Sequence, residues 1–197
     1  MTTFFGKYRG VVINNEDPLE IGRLQVMVPR VLGDVVTAWA MPCVPYAGLE
    51  QGFCFTPPID AGVWVEFEGG DPDYPIWSGC YWREGERPAE AVLPSMRLLK
   101  TEFGTLMMND TPGEGGFTLS TIDPAVATPI SITANSEGLT IRVAVTSIQV
   151  TDVGITLMAD PALIQMGAAG ITIAHGSAMI NASEPEVVIN EGSLTVL

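Results

Sequence analysis

Cysteine, histidine and positive charge are all scarce in this sequence of 197 residues. The three cysteines, Cys43, Cys54 and Cys80, are widely spaced and form no Cys-x-x-Cys pair, which argues against a zinc site. We therefore expect three free and largely buried thiols. Nine basic residues stand against 23 acidic ones, and the net charge of −14 argues against nucleic acid or an anionic membrane surface as a partner.

Long hydrophobic runs are also missing. No stretch approaches the roughly 20 apolar residues that a membrane-spanning helix needs. The N-terminus has no basic region followed by an apolar stretch, so we expect no secretion signal and assembly in the bacterial cytoplasm. With 47% hydrophobic and only 16% charged residues, the composition excludes a disordered chain.

Aromatic residues are confined almost entirely to the first part of the chain. Every Trp and Tyr lies before residue 83, and Phe117 is the only aromatic after Phe103. The first part can therefore build a core around large rings, whereas the second must use small aliphatic side chains. We predict a domain over residues 1–85, a polar linker over 86–96 and a second domain over 97–197.

Short strands separated by turn residues characterise the first part. Leu24, Val26 and Val28 alternate with polar residues, and the stretch 63–68 alternates in the same way. Further strands are predicted over 8–13, 36–41, 53–55 and 75–82. About five strands in about 80 residues without a helical period indicate a small closed barrel of the OB-fold type.

The second part contains pairs of apolar residues two positions apart, which recur about every eight residues from residue 130 onward. Turn residues fall between most pairs, so the pattern predicts a series of short strands with one apolar face. The predicted inward residues are Ile130, Ile132, Leu139, Ile141, Ile148, Val150, Ile155, Leu157, Ile164, Met166, Ile171, Ile173, Val187 and Ile189. The pair Ala178 and Ile180 fits the series less well.

A strand of this kind cannot bury its apolar face alone. A single chain could wind into a solenoid, but solenoids normally use longer coils with several strands each. Repeats of about eight residues suit strands that wrap around two other chains, with small aliphatic side chains filling a narrow axial core. We therefore predict an all-β homotrimer whose second domain is an intertwined, triple-stranded β-helix.

Residues typical of catalysis or metal binding are few, and we expect neither an enzyme nor a cofactor. Glu66 and Glu68 are predicted on the outer face of a strand and Asp71 and Asp73 in a turn, so they do not face each other across a substrate. The single histidine, His175, has the parity of Ile171 and Ile173. It is a weak candidate for a metal site shared by three chains, and a polar corner residue is the simpler interpretation.

Several segments of the chain resemble a known family. Residues 22–29 (GRLQVMVP), 39–42 (WAMP) with Ala47 and Gly48, and 52–67 (GFCFTPPIDAGVWVEF) are similar to the OB domains of spike proteins. Residues 70–82 (GDPDYPIWSGCYW) resemble the end of that domain in phage baseplate spikes and in VgrG proteins of type VI secretion. Residues 100–104 and 109–113 are similar to the transition into the β-helix of the same proteins.

This resemblance implies a structural spike that breaches a target envelope and touches the target membrane only on firing. The particle would be either a phage tail or an extracellular contractile injection system. Because the hub domain and lysozyme domain of some relatives have no counterpart here, the hub is expected to be a separate chain at the OB-domain end. A PAAR-like tip protein is expected on the uncapped C-terminal residues Ser193, Leu194, Thr195, Val196 and Leu197.

OB folds also bind oligosaccharides and nucleic acids, which gives the main alternative. In that interpretation the chain is a binding module with a β-solenoid extension. A nucleic-acid site needs basic and aromatic residues on one barrel face. Lys7, Arg9, Arg23 and Arg30 lie in the barrel part, but acidic residues outnumber them.

Overall fold

The structure is a computed structural model that describes residues 2–196, and the chain divides into two compact units between Arg87 and Pro88. The first unit contains one short helix, α1 (Pro29–Leu32), with Pro29 in its first turn. Its strands are β1 (Tyr8–Asn14), β2 (Gln25–Met27), β3 (Met41–Pro42), β4 (Ala47–Gly48), β5 (Gln51–Gly52), β6 (Gly62–Phe67) and β7 (Pro75–Tyr81).

Five of these strands form a sheet in the order β2-β1-β6-β7-β3, antiparallel except for the parallel pair of β3 and β7. The segment before β3 returns to β2, because Leu24 and Ala40 exchange backbone hydrogen bonds of 3.1 and 2.7 Å. Thr37 N–H donates to the Val26 carbonyl, and the Thr37 hydroxyl accepts from Val26 N–H. One segment thus bonds both edges of the sheet and closes it into the predicted OB barrel.

The barrel interior holds all the buried hydrophobic side chains found in residues 2–196. The predicted alternation is confirmed at Leu24, Val26 and Val28, which are fully buried, and at Val63, Val65 and Phe67 in β6. Gly10 lies where strands approach closely, since a Cβ there would come within 2.4 Å of a Val26 methyl group. The predicted strand over 53–55 is wrong: the hairpin strands β4 and β5 precede it, and residues 53–55 form an exposed loop.

The second unit is one antiparallel sheet of twelve strands, and each strand pairs with its neighbours in sequence. The strands are β8 (Met96–Lys100), β9 (Gly104–Asn109), β10 (Gly116–Thr121), β11 (Ile130–Asn135), β12 (Gly138–Val143), β13 (Thr146–Val150), β14 (Gly154–Ala159), β15 (Ala162–Gly167), β16 (Gly170–His175), β17 (Ala178–Ser183), β18 (Glu186–Ile189) and β19 (Leu194–Val196). Residues 82–95, which precede β8, contain no helix or strand.

The predicted all-β class with an N-terminal OB barrel is confirmed. In the second unit each strand bonds to strands of its own chain, so the winding of three chains about one another stays a prediction. Among residues 2–196, no helix is both long and apolar enough to span a bilayer.

Candidate functional site

One face of the twelve-stranded sheet is apolar over most of its length, although Arg97 in β8 also lies on this face, opposite Met108. Residues that are directly opposite in neighbouring strands share a face of the sheet. By this rule each strand contributes one Leu or Ile to a continuous central row. The central row consists of Leu99, Leu106, Leu119, Ile132, Ile141, Ile148, Leu157, Ile164, Ile173, Ile180, Ile189 and Leu194.

Two flanking rows lie on the same face, one on each side of the central row. The first flank is Met108, Phe117, Ala134, Leu139, Val150, Ile155, Met166, Ile171, Ala182 and Val187. The second flank runs in two parts, Gly104, Thr121, Ile130, Val143 and Thr146, then Ala159, Ala162, His175 and Ala178. We call the three rows together the apolar face.

All fourteen residues predicted to point inward lie on this apolar face. The sequence pattern missed its beginning, Leu99 to Leu119, although Leu106 with Met108 and Phe117 with Leu119 show the same two-residue spacing. The longer connection between β10 and β11 interrupts the eight-residue period there. Ile180, part of the pair that fitted less well, belongs to the central row opposite Ile173 and Ile189.

Within the part of the chain that the structure describes, nothing covers the apolar face. Ile148, Ile173 and Ile180 lie in the middle of the sheet, yet 41%, 46% and 41% of their surfaces are exposed. The barrel core residues, by contrast, are at most 6% exposed. An apolar strip of this size on a protein surface is typical of a protein–protein interface.

The opposite face of the sheet carries a row of neutral polar side chains. This row is Thr118, Thr133, Thr140, Gln149, Thr156, Gln165, Thr172 and Asn181. The Thr172 hydroxyl donates to the Asn181 side-chain oxygen at 3.1 Å, which links two neighbouring strands. The opposite face is thus more polar than the apolar face, although it also carries the apolar residues Met158, Leu163, Ala174 and Met179.

His175 lies in the second flank, opposite Ala162 on one side and Ala178 on the other. The register thus places His175 on the same face of the sheet as Ile171 and Ile173, as predicted. Its side chain is exposed in the single chain. The described residues contain no group of three His, Cys, Asp or Glu side chains that could hold a metal ion within one chain.

The acidic side chains of the barrel form ion pairs and hydrogen bonds with nearby residues of the same unit. Glu66 forms an ion pair of 2.8 Å with Lys7, and the Asp71 carboxylate accepts a hydrogen bond from Asp73 N–H at 3.1 Å. The expectation of buried cysteines is wrong: Cys43, Cys54 and Cys80 are all exposed, with Cys43 and Cys54 in loops and Cys80 near the end of β7. Partial burial still raises the pKa of the Cys80 thiol.

Three aromatic rings on the barrel surface lie beside the protein's own arginines. The Arg9 guanidinium lies 5.8 Å from the Trp64 ring and 5.7 Å from the Tyr81 ring. Arg23 lies 5.3 Å from the Trp39 ring and also pairs with Asp17. Trp64, Tyr81 and Trp39 are therefore not free to stack bases, whereas Tyr74 and Trp82 are 62% and 65% exposed.

The C-terminal strand β19 pairs with β18 on one side only. Its other edge has no strand partner among residues 2–196. Leu194 is 55% exposed, and the Ser193 hydroxyl donates to the Asn190 carbonyl at 2.9 Å. Of the predicted tip residues, Leu197 lies outside the described residues.

Comparison with known families agrees with this division of the chain. Residues 8–82 match the family described as the type VI secretion system/phage-baseplate injector OB domain. Residues 143–195 match the phage baseplate V C-terminal trimerisation domain. No curated protein matches the chain. The two families together account for more than half of the sequence, and the chain belongs to the baseplate spike proteins of phages and type VI secretion systems.

Proposed function

We propose that three copies of this chain form a needle that pierces a target membrane at the tip of a contractile particle. The observation that carries the proposal is the apolar face of the second unit, which its own chain leaves exposed. The match to a trimerisation domain supports three as the number of copies. The spike has a mechanical role and not an enzymatic one.

Strand length also favours three copies. Most strands of the sheet have six residues, which span about 17–20 Å at roughly 3.4 Å per residue. Three such sheets around an axis form a prism whose inner faces lie about 5–6 Å from the centre, close to half the 10 Å spacing of packed sheets. Two sheets packed face to face would leave both sides of their apolar core open to water, whereas four sheets would leave a hole along the axis.

Sheet twist explains how the three chains become intertwined although each strand pairs within its own chain. Neighbouring strands in a sheet are rotated by about 20–25°, and the rotation accumulates over twelve strands. Three twisted sheets that share an axis therefore wind around each other. Stacked at about 4.8 Å per strand, the needle would be about 50 Å long.

Two partners are expected, one for the OB domain and one for the strand β19. A separate hub protein would bind at the end that carries the OB domain, as the injector OB family suggests. At the other end, the unpaired edge of β19 and the exposed Leu194 invite a cap, because open strand edges tend to pair. We propose that a PAAR-like protein binds residues 193–197 of all three chains.

Light scattering tests the trimer directly. The purified chain should have three times the mass of one chain, without a folded monomer at micromolar concentration. A folded monomer would contradict the needle and favour a single-chain module that binds sugars or nucleic acid.

Truncation tests the tip. Deleting residues 193–197 should abolish pull-down of a PAAR-like protein encoded beside the spike gene, while light scattering still reports a trimer. Replacing Ser136 and Glu137, the turn between β11 and β12 far from this end of the sheet, with Gly residues serves as the control and should leave binding intact. Undiminished binding by the truncated spike would place the cap elsewhere.

A further inference from the structure

The hairpin of β4 and β5 forms a two-stranded sheet of its own in the barrel unit. Because Gly48 pairs with Gln51, its turn consists of Leu49 and Glu50. Leu49 is 92% exposed, the highest value for a large hydrophobic residue in the described part of the chain. A single exposed leucine is common on protein surfaces, so its meaning depends on the residues beside it.

Glu50, the second residue of the turn, has a left-handed backbone with a φ of +54. Glycine adopts this conformation freely, whereas a residue with a Cβ is strained in it. Strained backbone positions concentrate at functional surfaces, which favours a role for the Glu50 carboxylate. Glu50 forms no ion pair with any other described residue, so its carboxylate is available to a cation of another molecule.

The surface beside the hairpin is both apolar and acidic. A groove of about 530 Å³ runs along it, and Glu20 and Glu50 are the only charged residues that line it in the described part of the chain. Glu20 also has a left-handed backbone, with a φ of +55. Four apolar side chains of this groove are each about half exposed, and these are Ile21, Tyr46, Phe53 and Phe55.

A second groove of the barrel, of about 790 Å³, has the complementary charge. Among the described residues, two aromatic rings and three basic side chains line it with no acidic one, and these are Phe5, Trp64, Lys7, Arg9 and Arg30. Lys7 is paired with Glu66, and Arg9 lies over Trp64. Arg30 is exposed and forms no ion pair with the described residues. The ring of Phe5 is 75% exposed. This basic groove therefore offers an apolar contact and a free cation.

The two grooves have no lining residue in common. One barrel can therefore contact one neighbour through its hairpin and another neighbour through its basic groove. A contact between two different surfaces of the same chain propagates from copy to copy and closes into a ring when the rotation is a fraction of a full turn. Three copies would close such a ring with three identical contacts.

The linker keeps the three barrels close together. Residues 82–95 join β7 to β8 and can span at most about 50 Å when fully extended. In a trimer held together by the second unit, this tether gives the barrels an effective concentration on the order of millimolar. A contact of modest affinity between complementary surfaces is then occupied without any further partner.

We propose that the hairpin tip of each barrel inserts into the basic groove of the next copy. Leu49 packs against the exposed ring of Phe5 of the next copy, and the Glu50 carboxylate pairs with its Arg30 guanidinium. The proposal rests on the trimeric needle proposed above, and it adds a ring of three barrels that the needle by itself does not require.

Chemical cross-linking of the full chain tests the contact. In a background where Cys43, Cys54 and Cys80 are replaced by Ser, the double variant Glu50→Cys, Arg30→Cys should give a covalent trimer with a short bismaleimide on a denaturing gel. Each single variant should stay monomeric on that gel, because the contact joins two different positions. The pair Glu84→Cys, Arg30→Cys is the control and should not link, since Glu84 lies in neither the hairpin nor the groove.

Light scattering of the same samples separates the ring from the needle. A trimeric mass without cross-linking through Glu50→Cys and Arg30→Cys would overturn the ring of barrels and leave the needle intact. Equal cross-linking of the control pair would also overturn the assigned contact. A monomeric mass would overturn the needle as well as the ring.

Two substitutions at the tip give an independent measurement that does not depend on cross-linking. In a barrel without the contact, Leu49→Ser removes an exposed apolar side chain and Glu50→Gly relieves backbone strain, so neither lowers the melting temperature. The proposal expects each to lower the melting temperature of the barrel, followed by Trp fluorescence, by several degrees. Unchanged or raised melting temperatures would overturn it.

Charge reversal identifies the pair. Glu50→Arg and Arg30→Glu should each destabilise the barrel of the trimer, and combining them should restore most of the loss because the ion pair is rebuilt in reverse. Combining Glu84→Arg with Arg30→Glu is the matched control and should restore nothing. Additive losses for the Glu50 and Arg30 variants would show that these two side chains do not meet.

Discussion

Ile148 and Leu157 lie directly opposite each other in β13 and β14, in the middle of the twelve-stranded sheet. Nevertheless 41% of the Ile148 surface is exposed, because none of the described residues covers that face. The contact between the two side chains stabilises the pairing of β13 with β14, and burial of the exposed part on assembly adds further hydrophobic free energy. The fold of the second unit and its oligomeric state are thus linked.

A buried charge should distinguish the two faces of the sheet. Leu157→Asp places one carboxylate per chain in the central row, at a cost on the order of several kcal/mol per trimer. Thr156→Asp, its neighbour in sequence, points to the opposite face between Gln149 and Gln165 and should be tolerated. Thermal melting and light scattering of both variants measure the difference. Equal stability of the two variants would contradict the assignment of the inner face.

Gly154 should be intolerant of a side chain. A Cβ at this position would lie 2.1 Å from the Met166 carbonyl oxygen, so the backbone of β15 must move. We expect Gly154→Ala to destabilise the protein by about 2–4 kcal/mol per chain. Gly176 is the matched control: its surroundings are open and its φ of +58 costs only about 1 kcal/mol on substitution with Ala. Chemical denaturation curves that coincide for the two variants would refute the close approach.

Asp17 should make the barrel sensitive to acid. Its carboxylate pairs with Arg23 at 2.6 Å and accepts backbone N–H bonds from Leu19, Ile21 and Arg23. The Arg23 guanidinium, with these bonds, holds the pKa of Asp17 well below its ordinary value. This contribution to stability is therefore complete above the ordinary pKa of about 4 and is lost as pH falls toward the folded pKa.

The variant Asp17→Asn tests this dependence. Its denaturation midpoint should lie below that of the native chain at pH 7, and the two should converge as pH falls below about 4. Tryptophan fluorescence reports on the barrel alone, since all four Trp residues lie between positions 39 and 82. If the difference in denaturation midpoint between the native chain and the variant stays constant down to pH 2, the charge of Asp17 does not contribute to stability.

Thiol labelling checks the corrected position of the cysteines. Because all three are exposed, a maleimide should modify the native trimer without denaturant. Cys80 should react most slowly near neutral pH, since burial raises the pKa of its thiol and lowers the thiolate fraction. Cys80→Ser should remove the slow phase. Protection of all three thiols in the native protein would restore the original expectation.

Local pattern alone determined much of this protein. Alternation identified Leu24, Val26 and Val28 as barrel core, and the eight-residue period placed fourteen residues on one face of the second unit. This succeeds because a strand has a side-chain period of two, so one apolar face is visible directly in the sequence. The confinement of aromatic rings to one part of the chain separated the barrel from the sheet for a similar local reason.

Tertiary structure decided what depends on contacts between distant segments. Closure of the barrel requires the segment 36–42 to bond both β2 and β7, and no local pattern encodes a strand that serves two partners. Exposure of Cys43, Cys54 and Cys80 likewise depends on how the loops and the end of β7 lie against the rest of the barrel. The level at which each side chain of the apolar face lies follows from the register of twelve strands, because a shift of one residue would move every side chain to the other face.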